Sequence, residues 1–138
     1  MQLTGTAALR RAAAADHGVL ATLHHERGAD LVPVCFAIVG QLVAVPIDRV
    51  KPKASTDLAR LRNLEADPRA TLLVEHWDAL DWSTLWWVRI SLQWSPGEAG
   101  DTARLERSLR DRYPQYRDAP FAQILVFRIR AVTGWAAW

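Results

Sequence analysis

Two hydrophobic patterns alternate along this chain, and together they predict a mainly β domain with peripheral helices. Short runs rich in valine, leucine and isoleucine, bounded by glycine or proline, are typical of strands. Leucines that recur every three or four residues are typical of helices with one buried face. Strands are predicted over residues 19–25, 31–39, 42–47, 70–76, 85–94 and 121–131. Helices are predicted over residues 6–16, from Ser55 or Thr56 to Ala66, and over 101–112.

The order of these elements predicts their arrangement. Strands follow one another in runs with helices interspersed, which argues against a doubly wound sheet and favours an antiparallel sheet or barrel. Residues 31–47 carry no charge, but they are short for a membrane span, and Pro33 and Pro46 interrupt them. We interpret them as a hairpin that turns at residues 40–41, and we interpret residues 135–138 as an aromatic tail.

The composition is that of an ordinary globular protein. Half of the residues are apolar and 23% are charged, so residues 1–138 are expected to form a single domain. The only cysteine, Cys35, excludes an internal disulfide and a cysteine zinc cluster. A net charge of +2 is too small to favour nucleic-acid binding, and no signal sequence is recognised, so a cytoplasmic protein is expected. Seven tryptophans suggest flat, amphipathic contact surfaces.

The most distinctive polar segment, residues 48–56, leads from the third predicted strand into the second predicted helix. Unpaired N–H groups and the dipole of a helix start favour an anion, and neighbouring cations and hydroxyls add to this preference. The segment and the next helical turn provide five candidate anion ligands: Lys51, Lys53, Ser55, Thr56 and Arg60. A solvated basic loop with an ordinary helix cap is the alternative. The chain has no glycine-rich nucleotide motif, so neither a Rossmann cofactor nor NTPase activity is expected.

The other polar residues form no recognisable catalytic or metal-binding set. His24 and His25 are adjacent on a predicted strand, so they are expected to face opposite sides and cannot share a metal ion. Cys35 lies among apolar residues and is interpreted as a small buried hydrophobe rather than a nucleophile. The carboxylates around one predicted loop are interpreted as solvated: Glu75, Asp78 and Asp81.

A tryptophan pair lies at the start of the fifth predicted strand. Strand alternation places Trp87 with Arg89 on one face, and Trp86 with Val88 on the other. An indole on either face is suited to stack on a planar ligand or a partner chain, and burial in a dimer core is the alternative.

Several segments, taken in order, resemble the pyridoxamine-phosphate-oxidase-like split β-barrel family, and more narrowly its class that uses the deazaflavin coenzyme F-420. The segments that carry this resemblance are residues 19–23, 33–36, 43–47, 48–53, 60–64, 67–70 and 85–89. They span nearly the whole chain. The resemblance implies a mainly β (α+β) split β-barrel of the FMN-binding type with peripheral helices.

The resemblance also implies where a cofactor binds. Members of this family are homodimers with the cofactor in a cleft between the subunits. The phosphate of the cofactor would be held by Lys51, Lys53, Ser55, Thr56 and Arg60. The planar ring would lie against four strand residues: Val34, Cys35, Pro46 and Ile47. The partner subunit would contribute Trp86 or Trp87.

The function that the resemblance implies is that of a coenzyme F-420-dependent oxidoreductase. Reduced deazaflavin would transfer a hydride to a small organic substrate, and because the cofactor carries the chemistry, no catalytic side chain is assigned. An FMN-dependent oxidoreductase on the same fold is one alternative. A non-catalytic protein that binds a flavin or haem is another. Neither nucleic acid nor a membrane is expected as a partner.

Overall fold

The structure is a computed structural model that describes residues 1–48, 54–118 and 121–138, without the side chains of residues 48, 54–58 and 122. These ranges contain three α-helices: α1 (Gly5–Ala13), α2 (Ala54–Ala66) and α3 (Ala99–Arg112). They also contain seven strands: β1 (Gly18–His24), β2 (Gly28–Val34), β3 (Ala37–Val39), β4 (Leu42–Asp48), β5 (Arg69–His76), β6 (Trp86–Trp94) and β7 (Phe121–Ala136). Two short 3-10 turns cover Trp82–Thr84 and Pro114–Tyr116.

The seven strands form one antiparallel sheet in the order β2-β1-β5-β6-β7-β4-β3. Its edge strands, β2 and β3, are consecutive in the chain and are joined by only Cys35 and Phe36. Because successive Cα atoms are about 3.8 Å apart, this link holds the facing strand ends within roughly 11 Å of each other. The sheet therefore curls until its edges meet, and it forms a barrel that is split at this junction.

Alternate residues of the strands point into the barrel and form its core. On β6, Val88 is fully buried whereas the next residue, Arg89, is exposed. On β1, Leu20 is fully buried whereas Val19 is only half-buried. The interior is filled by branched aliphatic side chains and by two phenylalanines, Phe36 and Phe127. Removal of this apolar surface from water is the main stabilising contribution to the barrel.

The helices cover different parts of the barrel. The helix α1 packs on β6 and β7 through Ala8 and Ala12. Gly134 permits this close approach, since a Cβ atom there would lie 2.9 Å from the Cβ atom of Ala8. The helix α3 packs on β3, β4 and β7 through Leu105 and Leu109, and α2 packs on β1. None of the helices in the described ranges is long and apolar enough to cross a membrane.

One broad face of the sheet remains exposed. Strand pairing aligns five apolar residues on the outside of β2, β1, β5, β6 and the end of β7, which we call the outer sheet face: Val19, Leu31, Leu73, Trp87 and Trp135. Leu31 is 65% exposed, and Leu73 and Trp135 are each 37% exposed. These fractions are large for a sheet face and are typical of a surface that contacts a partner.

The mainly β barrel with peripheral helices that the sequence predicts is confirmed, but two predicted elements are wrong. Residues 31–39 are not one strand, because β2 pairs with β1 whereas β3 pairs with β4. Only β3 therefore forms the predicted hairpin around residues 40–41. The prediction that residues 135–138 form an aromatic tail is also wrong in part, because Trp135 and Ala136 continue β7 and pair with β6.

The residue that follows α3 stabilises the break between β2 and β3. The hydroxyl of Tyr113 accepts a hydrogen bond from the Phe36 N–H at 3.2 Å and donates to the Asp16 carbonyl at 2.8 Å. Burial raises the pKa of Tyr113, so this hydroxyl keeps its proton at neutral pH. Arg112 donates to the Ala15 carbonyl and lies over the Phe36 ring, 5.0 Å from its centroid. The Tyr113 hydroxyl thus satisfies the Phe36 N–H, which lies between the two edge strands.

Candidate functional site

A cleft of about 470 Å³ lies between α2 and the hairpin of β1 and β2. The hairpin turns at residues 25–27, and Gly28 begins β2 with a φ of +87°, a conformation that favours glycine. The helix α2 packs on β1 beside the hairpin. We call this space the α2 cleft, and it is lined by Thr22, Arg27, Ala29, Asp30, Leu31, Val32, Ala59, Arg60 and Asn63.

A partly buried polar network forms one wall of the α2 cleft. The side-chain amide of Asn63, which is 5% exposed, donates to the Thr22 hydroxyl at 3.1 Å and to an Asp30 carboxylate oxygen at 2.9 Å. Arg27 makes two further bonds to the same carboxylate, at 3.1 and 2.8 Å. The hydrogen bond from Arg27, followed by that from Asn63, lowers the pKa of Asp30 to about 2. Asp30 is therefore ionised at neutral pH, and the network fixes the hairpin to α2.

Arg60 gives the α2 cleft its buried positive charge. The residue is only 8% exposed and lines the cleft one turn before Asn63 on α2. A buried guanidinium is costly unless its donors are satisfied, and it presents planar donors that suit carboxylates and phosphates. With Arg27 and Arg60 against Asp30, the charges that line the cleft sum to a positive value. The lining therefore fits an anionic group.

A second cleft of about 380 Å³ lies on the other side of the hairpin turn and shares Arg27, Ala59 and Asn63 with the first. The prediction that His24 and His25 face opposite sides is wrong, because β1 ends at His24 and the two rings stack with centroids 4.7 Å apart. His24 Nδ1 accepts hydrogen bonds from the backbone N–H groups of Glu26 and Arg27, each at 3.1 Å. Within the described ranges, no group of three histidine, cysteine, aspartate or glutamate side chains is arranged to hold a metal ion.

The predicted phosphate ligands lie around the start of α2, and the structure describes them in part. Arg60 lines the α2 cleft. Ser55 and Thr56 lie in the first turn of α2, but their side chains are outside the description. Lys51 and Lys53 lie outside the described residues. Arg60 is therefore the predicted ligand whose side chain the structure describes.

The four predicted ring contacts do not share one surface. Val34 and Ile47, at 8% and 5% exposure, pack together in the barrel core. Pro46 is also buried, but strand alternation directs it to the opposite face of β4. Cys35 lies at the split of the barrel and is half-exposed, so its interpretation as a buried residue is wrong. It lacks the strand partners that would have covered it.

The two predicted partner tryptophans have different surroundings. Trp86 packs against the barrel core, lies parallel to the His76 ring at 6.5 Å, and has the Arg11 guanidinium 5.7 Å from its centroid. Trp87 lies on the outer sheet face with Arg89 5.2 Å from its ring centroid, so the predicted placement of Trp87 with Arg89 is confirmed. Trp87 is thus available to a partner chain, whereas Trp86 is occupied within its own chain.

The loop between β5 and β6, residues 77–85, which the sequence predicts as an acidic, aromatic loop, contains large exposed apolar side chains. Trp77 and Trp82 contact each other at a centroid distance of 5.6 Å and are 59% and 64% exposed. Leu80, between them, is 97% exposed. Asp81 accepts hydrogen bonds from the backbone and the hydroxyl of Ser83, which lower its pKa. Asp81 therefore shapes a loop, which agrees with its interpretation as a loop carboxylate.

The sequence patterns also do not predict the polar network of the α2 cleft. Asn63 is separated from its partners Thr22 and Asp30 by 41 and 33 residues, so no local pattern connects them. A partial signal is present in the spacing of Arg27 and Asp30, which lie three residues apart across a predicted turn. An opposite-charge pair at such a turn is typical of a hairpin that is closed by a salt bridge.

No protein-family model matches this sequence, and no curated protein matches it. Solved structures do match. A candidate pyridoxamine 5′-phosphate oxidase from Corynebacterium glutamicum is 13% identical, with a TM-score of 0.61 over 97% of this chain and 94% of that chain. An FMN-binding protein from Syntrophomonas wolfei is 16% identical, with a TM-score of 0.66 over 94% of this chain and 87% of that chain.

A heme-binding protein from Mycobacterium smegmatis is 19% identical, with a TM-score of 0.72 over 99% of this chain and 55% of that chain. At these identities the similarity establishes the fold. The chain has the mainly β split-barrel fold of pyridoxamine-phosphate-oxidase-like proteins, a fold that flavin-binding and heme-binding proteins share.

Proposed function

We propose that this protein is a coenzyme F-420-dependent oxidoreductase that acts on a small organic substrate. The observation that carries the proposal is the positively charged α2 cleft, with Arg60 buried in its wall, on a fold that binds flavins in other proteins. An anion-binding cleft beside a helix of this barrel suits the acidic part of a flavin-type cofactor.

In this proposal the residues of the cleft hold the cofactor, and the bound deazaflavin supplies the hydride. Arg60 binds the phosphate, together with the groups that precede it in the sequence: Lys51, Lys53, Ser55 and Thr56. Of the four predicted ring contacts, Cys35 is half-exposed at the split and is the one open to the ring, whereas Val34, Pro46 and Ile47 are buried and support the strands around it. The fixed hairpin contributes a rigid wall, because Asn63 ties α2 to β1 and β2.

The number of positive charges supports F-420 over FMN. F-420 carries a phosphate and a polyglutamate tail, whereas FMN carries a phosphate alone. The segment from residue 49 to residue 62 contains five cations, which is more than one phosphate requires: Arg49, Lys51, Lys53, Arg60 and Arg62. Surplus cations also raise the rate at which a polyanion associates.

The exposed outer sheet face supports a homodimer. Its apolar side chains include Leu31, Leu73 and Trp135, which a second copy of the chain would remove from water. Because Leu31 lines the α2 cleft as well as this face, a dimer formed here would bring the partner to the edge of the cleft. The cofactor would then bind between two subunits.

An FMN-dependent enzyme is the second candidate, since the fold is shared with an FMN-binding protein. A non-catalytic protein that binds a flavin or haem is a third, since the fold is also shared with a heme-binding protein. Absorbance spectra after incubation with F-420, FMN and haem in turn distinguish the three. The spectrum of protein-bound F-420 would support the proposal. If the protein retained haem and neither of the other two cofactors, the haem-binding function would take its place.

The contribution of the basic segment is tested with a matched pair of variants. Lys53→Ala is expected to weaken F-420 binding by roughly 10- to 150-fold, the equivalent of one charged hydrogen bond. Arg128→Ala removes an equal charge from an exposed position on β7 and is expected to change binding little. Fluorescence titration of both variants measures the difference. Equal losses would mean that the basic segment has no specific role.

A further inference from the structure

We propose that the second cleft, which we call the turn cleft, binds the phosphoryl group of a small phosphate ester. The turn cleft has a volume of about 380 Å³, which is large enough for a small organic molecule, and it lies between the β1–β2 turn and α2. Three side chains in its wall have hydrogen-bond donors that the protein leaves unused: His24, Arg27 and Arg62. This site is separate from the α2 cleft and does not depend on a cofactor there.

The β1–β2 turn fixes the tautomer of His24. Its Nδ1 atom accepts hydrogen bonds from the backbone N–H groups of Glu26 and Arg27, so this nitrogen carries no proton. A neutral imidazole then holds its proton on Nε2, which becomes a donor. Among the described residues, none accepts a hydrogen bond from Nε2. The turn therefore leaves one imidazole N–H for a ligand.

The two arginines also have donors to spare. Arg27 binds the Asp30 carboxylate through Nε and Nη2, and its Nη1 atom has no bond within the described part of the chain. Arg62 is exposed on α2, and no carboxylate of the described residues forms an ion pair with it. A guanidinium presents a planar fork of N–H groups that matches the oxygens of a phosphate.

None of the described residues that line the turn cleft carries a carboxylate. Two acidic residues of the hairpin are already engaged. Asp30 is bound by Arg27 and Asn63, and a carboxylate oxygen of Glu26 lies 3.3 Å from His25 Nε2. Because Asp30 balances the charge of Arg27, Arg62 leaves the turn cleft with a net positive charge. The lining therefore fits an anion.

The number of donor groups favours a phosphoryl group over a carboxylate. His24 belongs to β1, Arg27 to the turn and Arg62 to α2, so the donors come from three different elements. A phosphate ester offers three terminal oxygens and up to two negative charges, whereas a carboxylate offers two oxygens and one charge. The remaining wall includes three apolar side chains, which suit the organic part of an ester: Leu23, Ala59 and Ala66.

Titration with inorganic phosphate, followed by NMR of the imidazole nitrogens at mildly alkaline pH, tests this site. Without ligand, His24 is expected to show the Nε2–H tautomer. Phosphate should shift the His24 resonances saturably, and phenyl phosphate should do so at lower concentration. Chloride at matched ionic strength should not reproduce the shift. A proton on Nδ1, a response that chloride reproduces, or tighter binding of acetate than of phosphate would each overturn the proposal.

A matched pair of variants tests the contribution of Arg62. Arg62→Gln is expected to weaken phosphate binding, measured at His24, by roughly tenfold or more, because it removes a charged donor. Arg107→Gln removes an equal charge from an exposed position on α3 and should leave this binding unchanged. Equal dissociation constants for Arg62→Gln and the parent protein would overturn the proposal.

Lys53→Ala separates the two clefts. Phosphate held by the basic segment that precedes α2 would be weakened by this change, whereas phosphate in the turn cleft should shift His24 as in the parent protein. Loss of the His24 response in Lys53→Ala would mean that His24 reports the other site, and would overturn the proposal. All of these titrations are made without F-420, so a failure to bind F-420 leaves them unaffected.

Discussion

Asn63 is the residue that holds the α2 cleft together. Its amide connects the helix to β1 through Thr22 and to β2 through Asp30, at 3.1 and 2.9 Å. Thr22 is only 3% exposed, so its hydroxyl depends on a protein partner. Arg60, one turn earlier, is positioned by the same helix. The cationic wall of the cleft therefore depends on a neutral side chain.

Replacement of Asn63 is expected to destabilise the protein. Asn63→Ala removes both bonds and leaves the Thr22 hydroxyl without this partner, at a cost of about 2 kcal/mol. Glu65→Ala is the control, because Glu65 is exposed on the same helix and its loss should change stability by less than about 0.5 kcal/mol. Urea denaturation measures both free energies of unfolding, and a similar loss in the two variants would contradict the role given to Asn63.

The carboxylate of Asp30 is expected to make stability depend on acid pH. Its folded pKa is about 2, below the usual value of 3.8, because Arg27 and Asn63 bind the ionised form. Its contribution is therefore complete above about pH 4 and is lost as the pH falls towards 2. Asp30→Asn should be less stable than the parent at pH 7, and the difference should shrink by pH 2. Urea midpoints across this range test it, and parallel curves would contradict it.

At the scale of elements, the split between β2 and β3 determines the shape of the sheet. Two residues separate the edge strands, and Tyr113 satisfies the backbone of one of them, Phe36, from the end of α3. Local sequence indicates a continuous apolar strand here, because the residues on both sides of the break are hydrophobic. The break comes from a partner 77 residues away. Periodicity along the chain contains no information about such a contact.

Loss of the Tyr113 hydroxyl is expected to loosen this junction. Tyr113→Phe keeps the ring but leaves the Phe36 N–H and the Asp16 carbonyl without a partner, which should cost about 1–2 kcal/mol. Hydrogen exchange should accelerate at the Phe36 amide and remain slow in β1. Uniform acceleration across the barrel would instead indicate a general loss of stability.

At the scale of the whole molecule, the predictable features are those set by local pattern. The mainly β barrel, its helices and the position of Arg60 on α2 follow from periodicity and from the family resemblance. The network of Asn63 depends on how distant segments meet, whereas the stacked His24 and His25 depend on where β1 ends. The outer sheet face combines both, since alternation predicts the face on which Trp87 lies but not the exposure of Leu31 and Leu73 on the same face.

The dimer is expected to depend on the outer sheet face. Leu73→Glu replaces an apolar contact with a carboxylate opposite Arg89, and desolvation of this charged pair in an interface is costly, so the variant should be a monomer at micromolar concentration. Arg107→Glu on α3 is the control, since it changes the charge at an exposed position away from this face. Moderate salt should leave the parent dimer intact, because apolar burial is not screened. Light scattering measures the molar mass of the parent protein and of both variants, and a monomeric parent protein would contradict the proposed dimer.

The choice of cofactor is the central claim, and competitive titration with F-420 and FMN at low and high salt tests it most directly. The cations of residues 49–62 should make F-420 bind more tightly than FMN at low salt. The preference should shrink as salt rises, because the additional attraction of the polyanionic tail is screened. Fluorescence titration of both cofactors gives the four dissociation constants. Tighter binding of FMN at both salt concentrations would contradict the assignment and make this protein an FMN-dependent member of the same fold.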